Sequence, residues 1–408
     1  MSPANSIAAE PLTNPARKAP SGDVATLRFW GVRGSTPTVD RATWRYGGNT
    51  PCLELTTPGG AQLILDCGTG LRMLGRQWDP ESRPRRAETH IFVTHYHWDH
   101  IQGIPFFSPL YSEQNCFHFY SFRSEYLGSD SLKRVFEAQM AHPYFPVDLS
   151  AMSAARKFTE VSGEDQFDVA GVRVITRWLH HPQGCLGFRF ETSAGTVVYA
   201  TDNEPGDPKL DQSLRELAAG ADIFINDAQY KPEQLATTRR AWGHSSWLEG
   251  VKIAKEVGAK NLVLFHHDPD STDKIVDGIL RDARGEFENV WAAAEGMAMT
   301  LAKKNLDVMI PNMREGLRRD AHFRARVTGL TETGLEFEEE TVIRDLSLHG
   351  ALIYLSHSPR LQSELQVQLD SPGVGGGSDG PLRLRGYVVR IEPSIEKDRT
   401  AVGIVFTE

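Results

Sequence analysis

Six times in this sequence a short apolar run stops at a residue capable of chemistry. Ala61 to Leu65 leads to Asp66, and Thr89 to Val93 leads to Thr94-His95. Val172 to Leu179 leads to His180-His181, and Thr196 to Ala200 leads to Asp202. Ala221 to Ile225 leads to Asn226-Asp227, and Asn261 to Phe265 leads to His266-His267. Apolar runs this short, bounded by polar residues, read as buried strands. Sheets that carry sites carry them at strand ends, where loops converge. Helical signals lie between the runs. Leu214 to Leu217 starts one, and Ser246-Trp247-Leu248-Glu249 is a capping box followed by Val251 and Ala254 at helical spacing, with Gly258 as a stop. The alternation predicts an α/β domain over residues 23–303. Residues 105–165, rich in aromatics and irregular, read as a cover over the site or as an insertion with its own small core.

After Lys303 the pattern changes. Residues 304–315 read as a linker. Residues 316–408 contain short β-type runs alone and predict a small all-β domain. Ser371 to Gly380 reads as a flexible hairpin loop and lacks the spacing of a phosphate loop. Residues 1–22 lack an apolar core and read as a disordered tail, not a secretory signal. A length of 408 residues suits two or three domains. The net charge of −9 argues against a global pull on nucleic acid or anionic membrane. The four cysteines are widely spaced with no CxxC pair, which excludes a disulfide framework and suits a reducing cytoplasm. No apolar run approaches ~18 residues, so no membrane span is expected.

The stretch His95-Tyr96-His97-Trp98-Asp99-His100 holds three histidines and an aspartate within six residues. Imidazole and carboxylate are the usual ligands of zinc and related divalent metals. One such cluster cannot close a site, so later strand ends must contribute. The H-x-H-x-D-H pattern, with single ligands further on, resembles the metallo-β-lactamase superfamily. The resemblance implies an αββα sandwich with two divalent metal ions, zinc first, with manganese or iron also suited. It implies that His95, His97 and His181 hold one ion, that Asp99, His100 and His266 hold the other, and that Asp202 bridges them. Asp66 is expected to prop the site from behind. His180 and His267 are the alternatives to His181 and His266. His181 is favoured by the Gly187-Phe188-Arg189 that follows six residues on, and His266 by standing first past its strand.

Asn226-Asp227-Ala228-Gln229 and Gly243-His244-Ser245-Ser246 look like the loops of the ribonuclease Z and cyclic phosphodiesterase branch, as do Phe29 to Pro37 and Tyr46 to Thr50. By that resemblance His244 is the proton donor or phosphate contact, oriented by Asp227, and Asp99 can also accept a proton. His244 lies just before a helix N-terminus, where free N–H groups favour an anion. The expected substrate is a small phosphodiester, cyclic nucleotides included. With the negative net charge, structured nucleic acid is disfavoured. A thioester or lactone hydrolase, an RNA 3′-end nuclease and a non-catalytic second-messenger receptor stay open as alternatives.

Arg318-Arg319-Asp320-Ala321-His322-Phe323-Arg324 with Asp345-Leu346-Ser347-Leu348-His349-Gly350 resembles the PilZ domain, a six-stranded barrel that binds cyclic di-GMP. Asp345, Ser347 and Gly350 match its D-x-S-x-x-G element. Arg319 and Arg324 have four residues between them where the family pattern R-x-x-x-R has three. The resemblance implies Arg318, Arg319, Arg324, Asp345, Ser347 and Gly350 as ligand contacts and cyclic di-GMP as an effector. A second copy of the chain is the remaining partner expected.

Overall fold

Each of the six apolar runs is a strand. The computed structural model describes residues 23–78, 88–303, 305–310, 319–347, 350–360, 363–369, 382–393 and 399–406. The chain divides into two units, Met1–Ile310 and Pro311–Glu408. The tail expected over residues 1–22 lies outside the described residues, as do Arg318 and Ser371 to Gly380.

In chain order the first unit has strands β1 (Val24–Gly31), β2 (Cys52–Thr56), β3 (Gln62–Leu65), β4 (Glu88–Phe92), β5 (Cys116–Ser121), β6 (Ala155–Glu160), β7 (Gln166–Val169), β8 (Val172–Leu179), β9 (Cys185–Glu191), β10 (Thr196–Ala200), β11 (Ile223–Asp227), β12 (Leu262–Phe265), β13 (Val290–Ala292), β14 (Ala298–Ala302) and β15 (Asn305–Met309). Its helices are α1 (Gly70–Arg76), α2 (Trp98–Ile101), α3 (Ser131–Gln139), α4 (Pro208–Ala218), α5 (Pro232–Ala236), α6 (Trp247–Val257) and α7 (Asp273–Glu286). Among the described residues one sheet runs β15-β14-β1-β2-β3-β4-β5-β6 and the other β13-β12-β11-β10-β9-β8-β7. Neighbours from β3 to β6 are parallel, and so are those from β10 to β13. The inner parallel strands β3, β10, β11 and β12 are covered on both faces, which is why their sequences are near-continuous apolar runs.

Alternate residues of each strand enter different layers. Leu63, Leu65 and Phe92 meet Phe188, Phe190, Tyr199, Ile225 and Phe265 between the sheets. Ile64, Ile91 and Val93 point the other way, onto Leu71 and Leu74 of α1 and Leu132 and Phe136 of α3. Val198, Phe224, Leu262 and Leu264 pack beneath Leu214 and Leu217 of α4, Val251 and Ala254 of α6, and Ile279 and Ala283 of α7. The result is the expected αββα sandwich. Each such side chain contributes about 1.5–3 kcal/mol by burial, so a one-residue slip of any strand is strongly opposed. Helix α6 starts and stops as its sequence signals: Ser246 accepts from the Glu249 N–H, and Gly258 closes the helix at φ 66°. Among the described residues no helix is long and apolar enough to cross a membrane.

Two expectations are corrected. Residues 105–165 are not a detached cover, for β5 and β6 extend the first sheet in parallel. Phe107, Phe117, Phe119 and Phe136 lie in the same core as Ile64 and Ile91, so the segment has no separate core either. Phe106 and Tyr144 remain exposed. The assigned linker is shortened, because Asn305–Met309 is β15, paired antiparallel with β14. Its alternation is real, with Leu306 and Val308 against the inter-sheet core and Asn305, Asp307 and Met309 exposed. A five-residue run of mixed polar and apolar residues is too short to announce an edge strand.

The second unit has β16 (Arg319–Leu330), β17 (Glu336–Ser347), β18 (Gly350–Leu355), β19 (Glu364–Leu369), β20 (Leu382–Pro393) and β21 (Thr400–Phe406). They close a barrel in the order β16-β17-β18-β21-β20-β19 around Val327, Ile343, Ile353, Leu365, Val367 and Val402. Among the described residues each strand of the barrel has a neighbour on both sides. Ser347 pairs with Gly350, which sets the D-x-S-x-x-G element at the β17–β18 hairpin.

Candidate metal centre

Parallel strands deliver their C-terminal ends to one edge of the sandwich, and the seven expected ligands meet there. His95 and His97 follow β4, Asp99 and His100 lie in α2, His181 follows β8, Asp202 follows β10 and His266 follows β12. His95, His97 and His181 form one group and Asp99, His100 and His266 another. His97 Nδ1 stands 3.0 Å from His181 Nε2. Asp99 Oδ2 lies 3.2 Å from His266 Nε2 and 3.4 Å from His100 Nε2. Asp202 stands between the groups. Its Oδ1 is 3.8 Å from His95 Nε2 and 3.9 Å from His181 Nε2, while its Oδ2 is 3.3 Å from His100 Nε2 and 3.4 Å from His266 Nε2. Each carboxylate oxygen thus faces one group. The strand ends turn sharply to make this possible: Asp66, Asp202 and His266 adopt φ of 59°, 54° and 60°. Backbone in this region is costly for a side-chain-bearing residue and persists where the surrounding structure enforces it.

The far side of each ring is held. His100 Nδ1 is 2.8 Å from Asp66 Oδ2, His181 Nδ1 is 2.7 Å from the Gly243 carbonyl, and His266 Nδ1 is 3.0 Å from Gln229 Oε1. A ring N–H donated on that side leaves Nε2 bare on the inner side. His95 Nε2 is buried with no hydrogen-bond partner. Bare ring nitrogens converging on buried carboxylates are unfavourable by themselves. They become satisfied ligands once divalent cations stand at roughly 2.0–2.2 Å. The residues therefore fit two such ions, and the histidine and carboxylate set suits zinc, manganese or iron. Burial pushes His95 well below the usual imidazole range and His181 down to about 4, which keeps both neutral as ligation requires. Burial opposes ionisation of Asp202, but its imidazole neighbours, His266 and His100 first, outweigh it and hold the carboxyl well below its usual range.

The two paired histidines separate cleanly. His180 Nδ1 donates to the Glu204 carbonyl, and His267 Nε2 to the Ala293 carbonyl. Neither faces the cluster. Asp66 lies behind His100, accepting from Thr94 N, Thr94 Oγ1 and the Tyr199 hydroxyl as well as His100. The loop from Phe29 to Pro37 also reaches the site. Ser35 N donates to Asp99 Oδ2 at 2.7 Å, and a Cβ on Gly34 would stand 2.3 Å from His266 Nδ1.

His244 and Asp227 form a dyad beside the cluster, with Nδ1 2.8 Å from Oδ2. Asp227 and His244 also lie within ligand range of Asp202 and His266. Asp227 is already filled, however, by the N–H groups of Gln229, Ser245 and Asp202 besides the imidazole. It acts here as an acceptor for protein donors. Burial opposes a proton on His244, but Asp227, then Asp202 and Asp99, outweigh it and raise the imidazole to about 9.

Two residues with no role assigned from the sequence complete the centre. Glu204 is buried and accepts from Ala241 N at 2.6 Å and Gly243 N at 2.7 Å. It thereby aims the Gly243 carbonyl at His181 and carries the loop that presents His244. Gln229 stood in the Asn226-to-Gln229 motif without a role, and it is the partner of His266. Of the effector contacts expected in the second unit, Arg324 is exposed on β16, and Arg319, Asp345, Ser347 and Gly350 lie in strands of the barrel.

The family described as the Beta-lactamase superfamily domain matches residues 62–267, and the PilZ domain matches residues 312–408. Among curated relatives, the chain is similar to Ribonuclease BN of Erwinia tasmaniensis, 23% identical over 64% of this chain and 95% of the relative. It is 28% identical to Ribonuclease Z of Streptococcus suis over 56% of this chain and 85% of the relative. Among solved structures it resembles the metallo-beta-lactamase fold protein YhfI from Bacillus subtilis, with a TM-score of 0.51 and 19% identity over 68% of this chain and 99% of that one. A diphosphatase from the PhnP family gives a TM-score of 0.50 and 20% identity over 68% and 98% of the two chains. These structural likenesses support the fold alone. The chain belongs to the metallo-β-lactamase superfamily, and its second unit is a PilZ domain.

Proposed function

We propose that the first unit is a two-metal phosphodiesterase acting on a small phosphodiester, cyclic nucleotides included, and that cyclic di-GMP bound by the PilZ domain tunes it. The Asp227–His244 dyad carries this reading. A histidine held by a buried carboxylate beside the metal groups is suited to giving a proton to a leaving oxygen. Nδ1 is taken by Asp227, which leaves Nε2 as the ring nitrogen available to a substrate. His95, His97, His181, Asp99, His100, His266 and Asp202 would hold the divalent ions, which would supply Lewis acidity there. In this reading Asp99 accepts a proton near the cluster, and its Oδ2 is steadied by Ser35 N.

The effector half rests on the PilZ match and on the register of β16. Between Asp320 and Phe323 the pairing shifts, so that Arg319 stands opposite Leu346 and Arg324 opposite Val342. The partners are four apart on β17, the spacing that R-x-x-x-R would have on a regular strand. A bulge absorbs one extra residue in this way. Guanidinium groups suit phosphate and guanine edges.

The test is a panel of cyclic nucleotides, cyclic dinucleotides, bis-p-nitrophenyl phosphate, a generic thioester and short RNA, each assayed with zinc and with manganese. The reading expects phosphodiester turnover that falls about 10²–10⁴-fold in His244→Ala with metal content unchanged. Thioester turnover without phosphodiester turnover would overturn it. Equal turnover with and without cyclic di-GMP would overturn the effector half. Cleavage at RNA 3′ ends is the second reading, supported by the ribonuclease relatives, and the RNA arm of the panel decides it.

A further inference from the structure

At the other end of β4 from His95 lies a second group of metal-binding side chains. Glu88 and His90 on β4 and His118 on β5 each offer a ligand atom within 4.8 Å of the others. Parallel pairing sets His90 beside His118, and His118 beside Lys157 of β6. His118 Nδ1 is 3.4 Å from Glu88 Oε1, which is the separation of two ligands on one tetrahedral ion with bonds of roughly 2.0–2.1 Å. The same Nδ1 is 2.9 Å from the Tyr120 hydroxyl, and His90 Nδ1 is 3.2 Å from it. The hydroxyl can donate to one of these ring nitrogens and accept from the other, so Tyr120 holds the two rings side by side. The outer side of His118 is held, with Nε2 2.7 Å from Thr159 Oγ1. His90 is buried, and Tyr120 stacks on Phe92 and Phe167, so the trio sits on a packed floor and not on mobile loops.

We propose that Glu88, His90 and His118 form a further metal site, separate from the centre at the strand ends, for a divalent ion that favours imidazole, such as zinc, nickel or copper. Lys157 competes for the carboxylate, with Nζ 2.9 Å from Glu88 Oε1. Its side chain is 62% exposed, and an exposed pair of this kind is worth little, so the ammonium swings into solvent at small cost. Burial lowers both imidazoles below their usual range, which keeps them neutral for ligation. Bound there, the ion would tie β4 to β5.

The test compares metal binding by the full-length chain and by His118→Gln, using zinc alone in equilibrium dialysis and cobalt for its absorption spectrum. The proposal expects the wild type to bind one equivalent more than the variant, while bis-p-nitrophenyl phosphate turnover without added excess zinc is the same in both. Equal stoichiometry would overturn it, whatever the total. Should His118→Gln melt lower than the wild type, Glu88→Gln at the partly exposed strand start provides the second reading. It should weaken the additional equivalent at least tenfold with turnover intact, and unchanged affinity would count against the site.

Discussion

Asp66, Asp202 and His266 share one unusual property, a left-handed backbone at the last step of a parallel strand. Each ends its strand and turns its side chain over the sheet edge in a single residue. Gly34 shows how tightly the loops then close on them. A methyl group there would stand 2.3 Å from His266 Nδ1, the atom that bonds Gln229. Gly34→Ala should therefore displace the imidazole and break its support. Loss of such a support weakens metal affinity by about 10–100-fold, and metal content after dialysis should show this with the far-ultraviolet circular dichroism unchanged. Gly243 has the same constraint twice over. Its φ is 85°, and a Cβ would lie 2.4 Å from His181 Nδ1.

At the scale of elements, α6 couples stability to the site. Ser246 caps it directly after His244 and Ser245, and the Ser245 N–H is held by Asp227. Ser246→Ala should cost about 0.5–2 kcal/mol. All eight tryptophans lie before residue 311, so urea denaturation followed by tryptophan fluorescence reports the first unit and measures this loss. In the barrel, Glu339 of β17 is the corresponding device. It accepts from Ser356 N, Ser356 Oγ, His357 N and His357 Nδ1, fastening the turn after β18. Burial opposes its charge, but these donors outweigh it and the carboxyl is lowered from its ordinary value. A lowered carboxyl stabilises the fold above its unfolded-state value of about 4.3 and loses that contribution as pH falls through the folded value. Hydrogen exchange in β17 and β18 should therefore quicken as pH is lowered below about 4, after correction for intrinsic exchange. Glu339→Gln should abolish that acid dependence.

For the whole first unit the decisive variable is the metal. The ligands come from residues 95 to 266, so ions bound there hold both sheets together at one edge. Ligands that bind only the folded state stabilise it by about 2.7 kcal/mol at a free concentration one hundred times the dissociation constant. Chelation should abolish turnover and lower the fluorescence midpoint in urea, and zinc or manganese should restore both. A midpoint insensitive to chelator would show that the centre holds no ion under those conditions.

Residue type and local order determined much of this protein. An apolar run too short for a helix becomes a strand wherever it is buried, and a histidine or aspartate just past its end is carried to the sheet edge with it. That logic reached His95, Asp202, Asp227 and His266 without any knowledge of their distances, and the capping residues of α6 were equally local. Tertiary structure decided what depends on neighbours remote in the chain. It separated His181 from His180, since only one of two adjacent imidazoles can face His97 when the other bonds Glu204. It made Glu204 and Gln229 parts of the centre, through bonds to Gly243 and His266 that no spacing announces. It drew β5, β6 and β15 into a sheet, because parallel and edge pairing are settled by which surfaces remain to be covered. Local sequence sets conformation and pattern, while convergence to within a few ångströms requires the packed core that holds distant strand ends side by side.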